Sequence, residues 1–333
     1  MEARSAALGP EMIGRRLTLR FHDAAGGYRD LVGVLESMTT IRKRNGEVIA
    51  FNPDDLAIVH PIEDVIPRAG KGAPLSLRVA ELEELSTRTW PPHQINNLGS
   101  WKCRISNGRT FRANSVLVTG APPFGESALV GESGLDLEHA ITAVDEMYRE
   151  AQLPTVFQIC LPIYQDFNDY LIARGWSEKV GAAFLIKDLE LRTDVENLAL
   201  SCNVEIMNAD QPSDAFLALH DDHSLRSIMT AYPARYVALT HDGEIIATAR
   251  VAISDAWSIV TRLIVADAFR KKGLARLLML ACMNSAIENG ATKMALQVDQ
   301  SNQDAQALYE KLGFRIHHTY RFIQRSETSE CAC

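Results

Sequence analysis

The residues best placed for chemistry are Arg270-Lys271-Lys272-Gly273-Leu274-Ala275-Arg276, four cations and a glycine within seven positions, set between two apolar runs. If Leu274 opens a helix, the first backbone N–H groups of that helix are free and carry partial positive charge. Gly273 and Ala275 then let a phosphate approach the backbone, and the side chains add full charges around the same point. A solvated basic turn has the same composition, so the flanking elements must decide between the two. Other titratable groups stand in pairs, His220-Asp221-Asp222-His223 and His317-His318. An imidazole's ordinary pKa lies near neutrality, which makes His220 and His223 candidate bases.

The flanks supply a scaffold. Residues 257–265 are β-branched and bounded by polar turns, which predicts a buried strand, and residues 274–289 predict a helix closed by Gly290. Residues 292–298 predict a second strand. Residues 302–312 predict a helix with Ala305, Leu308, Tyr309 and Leu312 on one face, stopped by Gly313 before a strand that begins at Phe314.

These residues resemble the GNAT superfamily of N-acetyltransferases. Arg270-x-x-Gly273-x-Ala275 matches that family's pyrophosphate loop, and Asn302 followed by Ala305-x-x-Leu308-Tyr309-Glu310-x-x-Gly313-Phe314 matches the second half of its signature. The resemblance covers residues 204–323, including a hairpin that turns at His241-Asp242-Gly243. It implies an α+β acyl-CoA N-acyltransferase fold, a mixed central sheet flanked by helices, with acetyl-CoA as co-substrate and an amine as acceptor. By the same resemblance Arg270, Lys271, Lys272, Gly273, Leu274, Ala275 and Arg276 hold the pyrophosphate, Leu263, Ile264 and Val265 hold the pantetheine arm, and Asn302 belongs to the cofactor site. Tyr309 is the implied acid for the departing thiolate, and a backbone N–H of Ile264 or Val265 the implied oxyanion donor. Many relatives carry a glutamate where this chain has Thr261, so that strand supplies no base. His220, His223, His317, His318 and Asp299 remain open as alternatives, as does a base acting through water.

The rest of the chain reads as two further units. Residues 12–68 carry short strands at 17–21, 30–38, 40–44, 47–52 and 56–58, with turn signals at Gly26-Gly27, Asn45-Gly46 and Pro53-Asp54, which predicts a small β-barrel similar to the SH3 type. Residues 67–74 read as a linker. Residues 75–194 repeat the acetyltransferase layout in outline: a helix at 77–88, strands at 99–105 and 110–118 joined by Asn107-Gly108, then helix 137–151, strand 155–160, helix 165–174 and strand 182–189. Leu171-x-x-x-Gly175-Trp176 echoes Leu308-x-x-x-x-Gly313-Phe314, but no phosphate loop is present. Glu126, Glu132, Asp136 and Glu138 stand where bases would be needed, and carboxylates there repel a pyrophosphate. The expected organisation is therefore a degenerate acetyltransferase-like copy followed by a catalytic copy at 200–325.

Composition fits a soluble globular class. The 333 residues, 47% hydrophobic and 23% charged, give a net charge of −8, which argues against a nucleic-acid-binding surface across the chain. No long apolar run predicts a membrane span, and the first residues lack a secretory pattern, so a reducing cytoplasm is the expected compartment. The six cysteines lack metal-ligand spacing, and no metal is expected. Two function classes stay open: an acetyl-CoA-dependent N-acetyltransferase, and a non-catalytic acyl-CoA-binding sensor or interaction module. Oligomeric state is not legible.

Overall fold

Period-two alternation builds the first of two units, residues 1–67, in a computed structural model that describes residues 8–22, 28–43, 47–61, 73–119, 137–220 and 225–325. Strands β1 (Arg16–His22), β2 (Tyr28–Ser37), β3 (Thr40–Arg42), β4 (Val48–Ala50) and β5 (Leu56–Pro61) form an antiparallel sheet in the order β4-β3-β2-β1-β5. Leu17, Leu19 and Phe21 of β1 point inward against Leu35, Ile41, Phe51 and Val59. At Gly33 a Cβ would lie 2.3 Å from the Arg42 carbonyl oxygen, so glycine alone allows β3 to approach β2 this closely.

The strands fall where the sequence places them, yet among the described residues no closed barrel is found. Among the described residues β4 pairs only with β3, and β5 only with β1. Two of the strands are three residues long, too short to carry the tilt and shear that closure needs. Pro53, in the turn between β4 and β5, has no N–H to give to a ladder. The turns at Gly26-Gly27 and Asn45-Gly46, and most of the linker, lie outside the described residues.

The second unit, residues 68–333, begins with α1 (Leu75–Thr89), β6 (Gln94–Leu98), β7 (Trp101–Ile105), β8 (Val116–Leu117), α2 (Leu137–Glu150), β9 (Val156–Leu161), α3 (Gln165–Ala173) and β10 (Trp176–Asp188). It continues with α4 (Val195–Ser201), β11 (Glu205–Ala209), α5 (Asp214–Ala218), α6 (Arg226–Thr230), β12 (Ala234–His241), β13 (Glu244–Ser254), β14 (Trp257–Val265), α7 (Leu274–Glu288), β15 (Lys293–Asp299), α8 (Gln303–Lys311) and β16 (Arg315–Arg325). All its strands join one sheet in the order β11-β12-β13-β14-β15-β10-β16-β9-β8-β7-β6.

The order contains an exchange. β10, which ends the first half of this unit, lies between β15 and β16 of the second half, and β16 lies between β10 and β9. Alternate residues of β10 serve different cores: Ala182, Phe184 and Ile186 pack with α1, α2 and α3, whereas Ala183 and Leu185 pack with α4 and α7.

One strand is added to the sequence reading. β6 pairs with β7 in a hairpin that turns at Gly99-Ser100, while β7 and β8 pair antiparallel across the connection that holds Asn107-Gly108. That connection is wider than a two-residue turn because Asn114 Oδ1 accepts the N–H groups of Ser106 (2.9 Å) and Gly108 (3.1 Å). Thr110 then caps a 3-10 turn at Phe111–Ala113, leaving only two residues for β8.

A buried polar chain crosses the first half. Arg104, fully buried, donates to Ser115, Thr87 and Gln158 Oε1 (2.6 Å), while Gln158 Nε2 donates to Glu83 Oε2 (2.8 Å) and His318 Nε2 lies 3.0 Å from Glu83 Oε1. His318 belongs to β16, so the exchanged strand also closes this network. Residues 75–194 expressed alone lack the strand that pairs with both β9 and β10 and the partner of Glu83. They are expected to remain unfolded by circular dichroism and to gain protease resistance only when residues 195–333 are supplied; a cooperative thermal transition of the isolated segment would refute this dependence.

Candidate active site

The parallel pairing of β14 with β15 runs from Trp257↔Lys293 to Val260↔Leu296 and stops, although both strands continue. The cause is a bulge: Thr248 of β13 opposes Ile264 and Arg250 opposes Thr261, so Arg262 and Leu263 together face Ala249. Arg262 adopts φ +57°, a left-handed conformation that costs an L-residue about 1–2 kcal/mol and persists only if its surroundings hold it. Part of that hold is visible. Arg262 Nη2 donates to His220 Nδ1 (3.3 Å). An arginine can only donate, so the proton of the neutral imidazole sits on Nε2 and is donated to Thr248 Oγ1 (3.2 Å). Burial, then the Arg262 charge, push the His220 pKa down to about 4.

Where the strands part, a cavity of about 510 Å³ opens, within the range of small-molecule sites. β14 contributes Thr261, Arg262, Leu263 and Ile264 to its wall, β15 contributes Gln297 and Asp299, and α8 contributes Ala305 and Tyr309 beside its N-cap Asn302. The first half of the unit adds Trp90, which follows α1, and Thr110, Phe111 and Arg112 from the turn that Asn114 fixes. Tyr320 and Phe322 of the exchanged β16 also line the cavity.

The Tyr309 side chain is buried with Phe314 edge-on at 5.8 Å. Burial and the neighbouring Cys282 thiol push its hydroxyl up to about 12, so it keeps its proton at neutral pH. Asn302 has a structural task as well: its Oδ1 accepts the Ala305 N–H (3.0 Å) and starts α8.

The basic turn lies at the end of β14. Gly273 is the N-cap of α7 with φ +80° and supplies no side-chain cap, so the first N–H groups of this fifteen-residue helix stay available. A Cβ at Gly273 would meet nothing within 4 Å, which leaves open the space above these donors. Lys271 also takes positive φ (+59°). Arg270 folds the turn back on the strand, donating to the Val265 carbonyl (3.2 Å) and pairing with Asp267 (2.8 Å). Lys272 lies over the Phe269 ring at 5.0 Å, and Lys271, Lys272 and Arg276 are exposed. Leu274 is buried and Ala275 half-buried.

The alternatives for a base separate spatially. His220 and Asp299 line the cleft, but Asp299 Oδ1 already accepts from the N–H and hydroxyl of Ser301 (both 2.7 Å). His318 is buried against Glu83, with His317 Nδ1 2.9 Å from its other nitrogen, and neither lines the cleft. Glu83, Cys160 and His318 bring three potential ligand atoms within 4.8 Å, yet both Glu83 oxygens already have hydrogen-bond partners, so the cluster is complete as a network. His223, Asp221, Asp222 and the acidic positions 126, 132 and 136 lie outside the described residues; Glu138 is described and pairs with Arg174 (2.8 Å). The contributions of Trp90, Phe111 and Arg112 were not legible in sequence, because a loop fixed by Asn114 carries no periodic signal.

A protein-family model described as "Probable histone acetyltransferase Rv0428c C-terminal" matches residues 77–323. The chain belongs to this family. Over 256 residues it is 27% identical to "Uncharacterized N-acetyltransferase YobR" of Bacillus subtilis, covering 73% of the chain and 98% of the relative. Over 333 residues it is 25% identical to "Probable histone acetyltransferase Rv0428c" of Mycobacterium tuberculosis, covering 93% and 95%. Among solved structures it is similar to a GCN5-related N-acetyltransferase from Kribbella flavida (TM-score 0.57, 15% identity, 78% of this chain and 98% of that one). It is also similar to a tandem GNAT protein from the clavulanic acid biosynthesis pathway (TM-score 0.50, 13% identity, 80% and 94%). The sheet is thus that of a GNAT-type acetyltransferase. No described helix is long and apolar enough to cross a membrane.

His220 gives this site a pH signature. Its folded-state pKa lies below the unfolded value of 6.5, so its share of stability is present above pH 6.5 and is lost as pH falls to about 4, by ~3 kcal/mol at most. In urea titrations the stability difference between the wild type and His220→Gln should shrink across that window. A difference that stays constant from pH 7 to 4.5 would show that His220 is equally protonated in both states.

Proposed function

We propose that the chain is an acetyl-CoA-dependent N-acetyltransferase that transfers acetyl to a primary amine by direct attack in a ternary complex. The observation that carries this reading is that the cleft lined by Leu263, Ile264 and Tyr309 lies on β14, the strand whose end leads through residues 266–272 to the open N-terminus of α7. The residues fit the co-substrate. An open glycine turn at a helix N-terminus, with Lys271, Lys272 and Arg276 beside it and Arg270 folded beneath, suits a pyrophosphate. The edge of β14 at Leu263, Ile264 and Val265, released from β15, suits an extended amide-bearing arm. Asn302 orders the α8 end of the same cleft.

When bound, acetyl-CoA supplies the thioester whose acetyl group is transferred. The chain's own contributions are positional and electrostatic. A backbone N–H of Ile264 or Val265 is aimed to stabilise the carbonyl oxygen as charge develops on it. Tyr309 Oη holds a proton for the departing sulfur. Thr261 stands where a carboxylate base would be expected. Its Oγ1 and the Oε1 of Gln297, whose Nε2 donates to Ser86 Oγ (3.1 Å), are buried with no hydrogen-bond partner, and both can accept an N–H. The first half of the unit works as a wall rather than as a second cofactor site, because Arg104, Gln158 and Glu83 fill the neighbourhood of its own parallel pair β8–β9.

The test is thiol release from acetyl-CoA over an amine panel, with calorimetry of CoA binding. Tyr309→Phe is expected to lower kcat by about 10²–10⁴-fold with CoA still bound, and Gly273→Glu to abolish CoA binding. CoA binding without acetylation of any amine would overturn the transferase reading, and undiminished CoA binding by Gly273→Glu would overturn the assignment of the turn.

A further inference from the structure

The cavity-lining residues from the first half of the unit and from β16 are joined to one another by contacts of their own. Trp90 Nε1 donates to Thr110 Oγ1 (3.3 Å), and Phe111, next in the chain, stacks on Phe322 with ring centroids 5.1 Å apart. Phe322 meets Tyr320 edge-on at 5.4 Å, and the Arg112 guanidinium reaches the Tyr320 hydroxyl. Four aromatic side chains therefore form one connected frame, and none of them belongs to the β14 edge or to α8, where the CoA arm is assigned. The rings differ in exposure. Trp90, Tyr320 and Phe322 are buried, at 2%, 3% and 6%, whereas Phe111 keeps 36% of its surface exposed. The backbone under Phe111 is pinned: Thr110 caps the turn that Phe111 begins, the Asn114 N–H donates to the Phe111 carbonyl (3.0 Å), and Asn114 Nδ2 donates to the Thr110 carbonyl (2.8 Å).

A lone exposed apolar residue on a surface calls for no ligand. Phe111 differs because it lines the same cavity as Tyr309 and Thr261 and continues a frame of buried rings that it cannot join by moving. Apolar surface that displaces water from such a frame is bound favourably, and a flat ring gains ring-to-ring energy beyond the area it buries. A bare ammonium would instead need free ring faces. Trp90 already has the fully buried Arg250 guanidinium 5.5 Å from its ring centroid, and Phe111 and Phe322 turn a face to each other, so the frame offers flat area and ring edges rather than a cage. From this juxtaposition we infer that the acceptor is a primary amine carried on an aromatic ring, and that Phe111 is the residue that selects it. The inference rests on the transferase reading for the fate of the amine, but not for its binding.

The experiment uses the full chain and primary amines that differ in the ring, phenethylamine, cyclohexylethylamine and propylamine, set against spermidine and a lysine-rich peptide. Acetyl transfer from acetyl-CoA and calorimetric binding in the presence of CoA are read separately. The wild type should favour phenethylamine over propylamine by about 10–100-fold in kcat/KM, the worth of burying one ring. It should favour phenethylamine over cyclohexylethylamine by about 3–10-fold, the share that belongs to ring-to-ring contact. Phe111→Ala should lower the first ratio by about tenfold, chiefly through KM. Phe111→Leu, which keeps apolar bulk without a ring, should retain most of the first ratio and bring the second toward one, and it guards against a folding defect in the alanine variant. Binding of phenethylamine that depends on Phe111, without acetylation of any amine, would sustain the selectivity and sink the transferase reading. Preference for propylamine, spermidine or the peptide over phenethylamine, or ratios unchanged in Phe111→Ala, would overturn the inference.

Discussion

One backbone irregularity governs the site: the bulge that puts Arg262 and Leu263 opposite the single residue Ala249. Without it β14 would continue its parallel ladder with β15 past Val260, and the cavity, the freed strand edge and the orphan acceptors would all vanish into ordinary sheet pairing. The strain at Arg262 is tolerated because its side chain has a fixed partner. His220 is itself fixed as the Nε2–H tautomer by Thr248, so a chain of two hydrogen bonds ties the bulged residue back to the neighbouring strand. The low pKa of His220 is a consequence of this task and marks it as a positioning residue, poorly suited to accept a proton near neutrality.

The cleft also needs the strand exchange. Thr261 and Gln297 come from the second half of the unit, Trp90 and Arg112 from the first, and Tyr320 and Phe322 from the strand that crosses between them. Two halves joined only by a flexible segment would leave the distance between their contributions to the cleft free to drift. Here β10 and β16 pair over ten positions and each is flanked by a strand of the other half, so that distance is set by a continuous ladder. The network from Arg104 through Gln158 and Glu83 to His318 adds directional constraints in the same place. Because Glu83 is fully buried, loss of either partner would leave a carboxyl oxygen without its hydrogen bond, which penalises any register other than the observed one.

How far this was legible in sequence depends on whether a feature is local. The β14–turn–α7 segment follows from period, punctuation and charge within a few tens of residues, and Trp257–Val265 is placed residue for residue. The strands of the first unit were legible for the same reason, whereas closure of that sheet is a non-local property, and the described strands do not show it. β6 was missed because Gln94-Ile95-Asn96-Asn97-Leu98 is a polar, largely exposed edge strand with no apolar alternation. The interleaving of β10 and β16 has no signature, since a strand flanked by one pair of neighbours looks like a strand flanked by another. Arg104 and Arg250 did carry a signal that was not used. A guanidinium in the middle of a buried strand must be compensated by its surroundings, and its presence points to a nearby polar network.

On the transferase reading, the residue at position 261 bears on how the amine loses its proton. An amine attacks only when neutral, and a carboxylate base both accepts its proton and, before that, stabilises the ammonium form by its own negative charge. Thr261 does neither. The described histidines and the aspartate considered for that role are engaged elsewhere: His220 Nδ1 accepts from Arg262, Asp299 Oδ1 accepts from the N–H and hydroxyl of Ser301, and His318 is buried against Glu83. Each of these contacts fixes a piece of the architecture, the bulge in β14, the turn after β15 and the seat of the exchanged β16, so these side chains serve the shape of the cleft before any proton transfer.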